Sequence, residues 1–182
     1  MKTRARRPGV RGAAAALGVG FAALACAPVF DWRQARPEGT EIELMFPCRP
    51  GKQERMVRIG AAVLPMQLHS CNAGGATFAL AVTEVADPAR VTPLLAELRA
   101  QAAANLAGTT REQGAFAPPG ATPNVQSARV VVTGERPDGR RVVAEAAFFV
   151  KGLRLYQATV LGADDASGRE AVDTFFGAIR LT

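Results

Sequence analysis

From Glu41 to the C-terminus, short apolar runs alternate with turn residues at hairpin spacing, a succession that favours an antiparallel sheet. Glu41 to Phe46 alternates acidic and apolar residues and stops at Pro47, as a half-buried strand does. Pro50-Gly51 turns the chain into a second extended piece, Gln53 to Ile59. Ala62 to Ser70 reads as a third strand, with Pro65 requiring a bulge or an edge position. After the Asn72-Ala73-Gly74-Gly75 turn, Thr77 to Thr83 is a fourth. Thr92-Pro93 then predicts a helix start, Thr92 as N-cap and Pro93 at the first helical position. Leu94, Leu95, Leu98, Ala102 and Leu106 lie on one face of that helix, and Gly108 can end it. Strands over Ala128–Thr133, Val142–Val150 and Leu153–Leu161 follow, turned at Pro137-Asp138-Gly139 and Lys151-Gly152. Ser167 and Glu170 form a capping box for a last helix carrying Val172, Phe175 and Phe176, closed by Gly177. The order strands, helix, strands, helix predicts an α+β fold, an antiparallel β-sheet with two helices packed against it.

The N-terminus belongs to a different logic. Lys2, Arg4, Arg6, Arg7 and Arg11 precede an uncharged, mostly apolar run from Ala13 to Ala25, and Ala23-Leu24-Ala25 stands before Cys26. Basic, apolar and small-residue regions in that order form an export signal. The chain therefore divides into an export signal over residues 1–25, a tether over 26–40 with two prolines and no periodicity, and a single α+β domain over 41–182. Export places the body in the periplasm or on a membrane facing it, where disulfides persist. Nothing after residue 25 is long and apolar enough to predict a membrane-spanning helix.

Removing the leader changes the meaning of the charge. The formal net charge is +6 from 22 basic and 16 acidic residues. Five of the basic residues are in the leader, so the remainder carries 17 against 16 and is close to neutral. That balance, with Arg140-Arg141 beside Asp138 as its one adjacent basic pair, gives no footprint for nucleic acid.

There are three cysteines, Cys26, Cys48 and Cys71. Ala22-Ala23-Leu24-Ala25-Cys26 resembles a bacterial lipoprotein processing site, which implies that Cys26 becomes a lipidated first residue and anchors the chain to a membrane. Signal-peptidase cleavage after Ala25, an uncleaved N-terminal anchor and a twin-arginine reading of Arg6-Arg7 are the alternatives. If Cys26 carries lipid, Cys48 and Cys71 remain as an even pair, and a structural disulfide is expected between them. Neither a Cys-x-x-Cys pair nor zinc-type spacing is present.

Three short motifs also carry a family resemblance: Ile42-Glu43-Leu44-Met45-Phe46-Pro47, Arg154-Leu155-Tyr156-Gln157-Ala158, and Phe175-Phe176-Gly177-Ala178-Ile179-Arg180-Leu181. Across Glu41 to Leu181 the layout resembles the PsbP-like fold, which includes photosystem PsbP proteins, the yeast Ran-binding Mog protein and small exported bacterial proteins. The resemblance implies the sheet-and-helix architecture and a largely non-catalytic superfamily, and it transfers no functional residue.

Candidate chemistry is sparse. His69 is the one histidine, and its neighbour Ser70 points to the opposite face of a strand, so the two cannot act together. We expect His69 to be polar surface. Asp164-Asp165 reads as acids favouring a helix N-terminus, and Glu41 with Glu43 as one exposed strand face. Phe30, Trp32 and Phe116 lie in otherwise polar segments and either cover a core edge or mark a contact surface. Phe148, Phe149 and Tyr156 are expected to be shared between the core and the sheet's outer face. Thr109 to Gln126, rich in Gly and Pro, reads as a mobile or binding loop. The expectation is no catalytic residue, no metal and no cofactor. The chain would be a non-enzymatic accessory or interaction module with an envelope protein partner, acting through the sheet's outer face or the Thr109–Gln126 loop. The second reading is a periplasmic carrier or sensor that holds an apolar ligand between sheet and helix.

Overall fold

In the computed structural model, residues 29–135, 139–162 and 166–182 are described, apart from the side chains at 166 and 167. The leader, Cys26, Pro137-Asp138 and Asp164-Asp165 lie outside them, as does the Ser167 side chain of the expected capping box. The chain forms β1 (Arg33–Ala35), β2 (Ile42–Phe46), β3 (Gly51–Ile59), β4 (Ala62–Ala73) and β5 (Ala76–Glu84). A 3₁₀ turn over Pro88–Arg90 leads into α1 (Val91–Ala104). Then come β6 (Thr109–Ala115), β7 (Ala128–Glu135), β8 (Arg141–Lys151), β9 (Arg154–Leu161), α2 (Ala166–Gly177) and β10 (Arg180–Leu181). This is the expected α+β class, with every pairing antiparallel.

The strands divide between two sheets. Seven run in the order β3-β4-β5-β9-β8-β7-β6, and β1-β2-β10 make a second, smaller sheet. Because side chains alternate sides along a strand, the large sheet has two inward faces. One takes Phe78, Leu80 and Val82 of β5, Phe149 of β8 and Tyr156 and Val160 of β9, and is covered by β2 and α2. The other takes Val130 and Val132 of β7, Phe148 and Val150 of β8 and Leu155 of β9, and is covered by α1. Phe148, Phe149 and Tyr156 are all fully buried, so the centre of the sheet has no outer face for them to share.

The first face is closed by aromatic packing. Phe175 of α2 meets Phe46 at 5.5 Å and Phe78 at 5.4 Å, both edge to face, a favoured geometry for ring quadrupoles. Phe149 and Tyr156 stack in parallel at 5.2 Å. Phe30 and Trp32 each reach Phe78 at 6.4 Å. The expected tether over 26–40 is therefore corrected for its described part: Arg33–Ala35 pairs with β2, and its aromatics give it apolar area to bury. Phe30 sits over the β4–β5 turn, where a Cβ on Gly74 would meet its ring at 2.5 Å.

Two further expectations are revised, and the choice left open at Pro65 falls to the edge. The α1 helix starts at Val91, so Thr92 lies inside it, and a 3₁₀ turn leads in: Asp87 accepts the Ala89 amide at 2.9 Å to cap that turn, and Arg90 occupies the α1 N-cap without a side-chain bond. Pro93 is tolerated because amides in the first turn lack helical acceptors in any case. Thr92 instead accepts from Asn124 Nδ2 at 2.8 Å. The Thr109–Gln126 loop is half strand, since β6 pairs along β7. The rest is held down: Thr122 bridges to Val150, Pro119 O accepts from Leu181 N at 2.8 Å, and Phe116 packs on Phe149 and Phe176. Pro65 needs no bulge, for β4 pairs with β5 only from Met66 onward and Pro65 lies beyond the last rung, locally at an edge.

Candidate functional site

The α1 helix lies across the second face without sealing it. Leu94, Leu95 and Leu98 are buried against the sheet, as their spacing predicts. Toward the C-terminal half of α1, small side chains meet small side chains: Ala102 on the helix, Ala79 and Ala81 on β5 and Thr159 on β9. Helix and sheet cannot close over so little volume, because interaxial spacing is set by the larger residues nearby. A cleft of about 240 Å³ remains. Its apolar surface comes from Val57, Met66, Leu68, Ala79, Ala81 and Leu98, and its polar groups from Arg55, Gln101, Asn105, Gln157 and Thr159.

Two of those polar groups are uncommitted. Gln101 Oε1 is buried with no hydrogen-bond partner among the described residues. Arg55, on the same face of β3 as Val57, is exposed and makes no ion pair among the described residues. An unsatisfied buried acceptor costs about 1–3 kcal/mol, which a bound donor would recover. Chemically, the cleft suits a small molecule with an apolar body and a polar or anionic end.

A second concavity of about 220 Å³ lies on the opposite face, lined by Gly39, Thr40, Glu54, Gln67, Thr83 and Arg154 among others. Gln67 Oε1 is also buried there without a partner among the described residues. Its central cation is already engaged, however: Arg154 binds Glu41 at 2.8 Å and Glu84 at 3.3 Å.

The structure separates the residues singled out in the sequence. His69 is only 6% exposed and is not polar surface. It points to the closed face, because on β4 it shares the parity of Cys71, which packs there. Its Nε2 has no partner among the described residues. Burial holds the imidazole below its ordinary value of 6.5, with Lys52 adding to the effect and Glu54 opposing it. Cys48 and Cys71 stand at disulfide distance, with sulfurs 2.10 Å apart, and tie the end of β2 to β4. Glu43 accepts from Gln34 and Arg36, so it and Glu41 serve different ion pairs. Among the described residues no cluster of His, Cys, Asp and Glu could hold a metal.

One charged group went unnoticed in the sequence. Glu145, 4% exposed in the middle of β8, accepts from Arg129 Nε at 2.7 Å and from Arg169 of α2 at 2.6 Å. Arg129 also reaches Asp173 at 3.1 Å and lies 4.3 Å from the Phe176 ring centre. The arrangement fastens α2 to the sheet through paired, hydrogen-bonded charge. Its signal was a lone acid in the run Val142 to Val150.

With the geometry in view, comparison adds no identity: no protein-family model matches the chain, and a search of curated proteins finds no match to it.

Proposed function

We propose that this chain is an exported, non-enzymatic binding module of the cell envelope, anchored by lipid on Cys26, that takes a small amphipathic ligand between α1 and the sheet. The observation that carries this reading is the cleft itself, with an apolar floor and, among the described residues, a buried acceptor without a partner in Gln101 and an unpaired cation at Arg55. Pockets of this kind, mostly apolar with a few placed polar groups, bind small molecules. Of the two surfaces first expected to recognise a protein partner, one is closed and the other is held along one side while β6 stays exposed. The centre of the sheet is covered on each side, and the Thr109–Gln126 segment is paired and packed. That shift favours the carrier over the accessory protein. His69, walled in and without an acid in hydrogen-bond contact among the described residues, supports a non-catalytic assignment. The disulfide-distance pair supports export, because such bonds persist outside the reducing cytoplasm. The PsbP-like resemblance is compatible with the same reading and remains part of the proposal.

The test is an NMR titration of the soluble body with N-octanoylglycine, an apolar chain with an amide N–H to donate to Gln101 Oε1 and a carboxylate for Arg55. Shifts confined to the Ala79, Ala81, Gln101 and Gln157 amides, lost in Ala79→Trp, support the site. Shifts elsewhere, or none, reject it. Anchoring is checked separately by the intact mass of material from membranes: lipid-sized added mass that disappears in Cys26→Ser supports it, and an unmodified thiol rejects it.

A further inference from the structure

The two free edges of the large sheet are unlike one another. The β6 edge is irregular, its register shifting between Glu112 and Gly114, and Gly114 has φ of 130°. A bulged, twisted edge resists pairing with another chain. The β3 edge has no such device. Its nine residues pair with β4 in unbroken register, contain no proline and leave the outer row of backbone groups uncovered. It also presents apolar surface: Met56 is 63% exposed, and Val63 beside it on β4 is 48% exposed. Val63 is the cross-strand partner of Arg58, and Pro65 of Met56, so Met56, Val63 and Pro65 share one side of the sheet.

We propose that β3 is a homodimer interface, two copies pairing antiparallel about a dyad at Met56. Charge complementarity selects this occupant and this register. With Met56 opposite its own copy, Glu54 of each chain faces Arg58 of the other, giving two attractive cross-strand pairs, and Arg55 faces the uncharged Val57. Centring the dyad one residue earlier sets Arg55 against itself and Lys52 against Arg58; two earlier sets Glu54 against itself. The Met56 dyad pairs seven residues from each chain, Gln53 to Ile59, and extends the sheet continuously across both copies. The exposed Met56, Val63 and Pro65 of each chain then adjoin those of the other. Both α1 helices remain on one side, so both clefts open in the same direction. The inference rests on the edge alone and stands or falls independently of what the cleft binds.

The experiment uses the soluble body with Cys26→Ser, measured by sedimentation equilibrium across concentration. A dimer is expected. Glu54→Arg alone, or Arg58→Glu alone, should weaken it by about tenfold or more, since two attractive pairs become two repulsive ones. The double variant Glu54→Arg/Arg58→Glu should restore it. Under mild oxidation, Met56→Cys should crosslink, because directly opposed residues lie within disulfide reach. Gln53→Cys should not crosslink, because it faces Ile59 of the other copy. A monomer at every concentration, a dimer indifferent to the charge changes, or crosslinking through Gln53→Cys overturns the proposal.

Discussion

The two faces of the large sheet are made by the same strands and behave as different materials. The side under β2 and α2 is filled by rings: Phe46, Phe78, Phe149, Tyr156, Phe175 and Phe176 are at most 2% exposed. The side under α1 has a single buried ring, Phe148, among aliphatic side chains, and at Ala79, Ala81 and Ala102 it is too lean to fill. Aromatic side chains bury the most area per residue, and close packing then makes the layer intolerant of change. Small side chains leave space that costs stability and creates a place for something else. Period-two alternation lets one strand serve both ends: on β5, Phe78 and Leu80 stabilise while Ala79 and Ala81 leave room.

The contrast can be broken most forcefully at Phe175, which is fully buried between two other rings. Phe175→Ala should cost about 3–5 kcal/mol in denaturant unfolding. Next, replacing both Cys48 and Cys71 by Ala should cost about 3 kcal/mol, the loop-closure value for their 23-residue separation. The measurement is the unfolding midpoint of oxidised protein, with reduction of the wild type giving a matching loss. Overfilling the closed face comes third: Ala147, fully buried, has no room, and Ala147→Leu should cost about 1–3 kcal/mol.

His69 gives a smaller, pH-dependent effect on that same face. A folded imidazole held below 6.5 takes up a proton less readily than the unfolded chain does. Stability is therefore intact above that value and is lost as pH falls below it. Unfolding followed from about pH 7 to about pH 5 should show this slope, and His69→Leu should flatten it. The smallest effect is expected on the open face. Ala79→Leu should change stability by less than about 1 kcal/mol, in either direction, because the added carbons enter existing space. An equal cost for leucine at Ala79 and at Ala147 would erase the distinction between the faces.

What the sequence made legible follows the reach of its signals. The strands that became β2 to β5 and β7 to β9 announced themselves through alternation and turn residues. The apolar stripe of α1 was equally plain, because these signals act within a few residues. β6 was invisible because all its residues, Thr109 to Ala115, are exposed and carry no apolar period. β1 was hidden for a related reason, since three residues cannot show a pattern and their partner strand lies further on. The pairing of β10 with β2 joins the two ends of the domain, and no local signal encodes it. The cleft was legible only as a possibility. Alanines at 79, 81 and 102 are ordinary sheet and helix residues until the fold sets them opposite one another.

If Cys26 carries the proposed lipid, Phe30 resting on the Gly74 turn also limits how far the body can roam. Three residues separate it from Cys26, and such a leash spans at most about 14 Å when drawn straight. A molecule moored by that thiol would ride low, its β4–β5 turn held near the attachment point in place of swinging on a long flexible stalk.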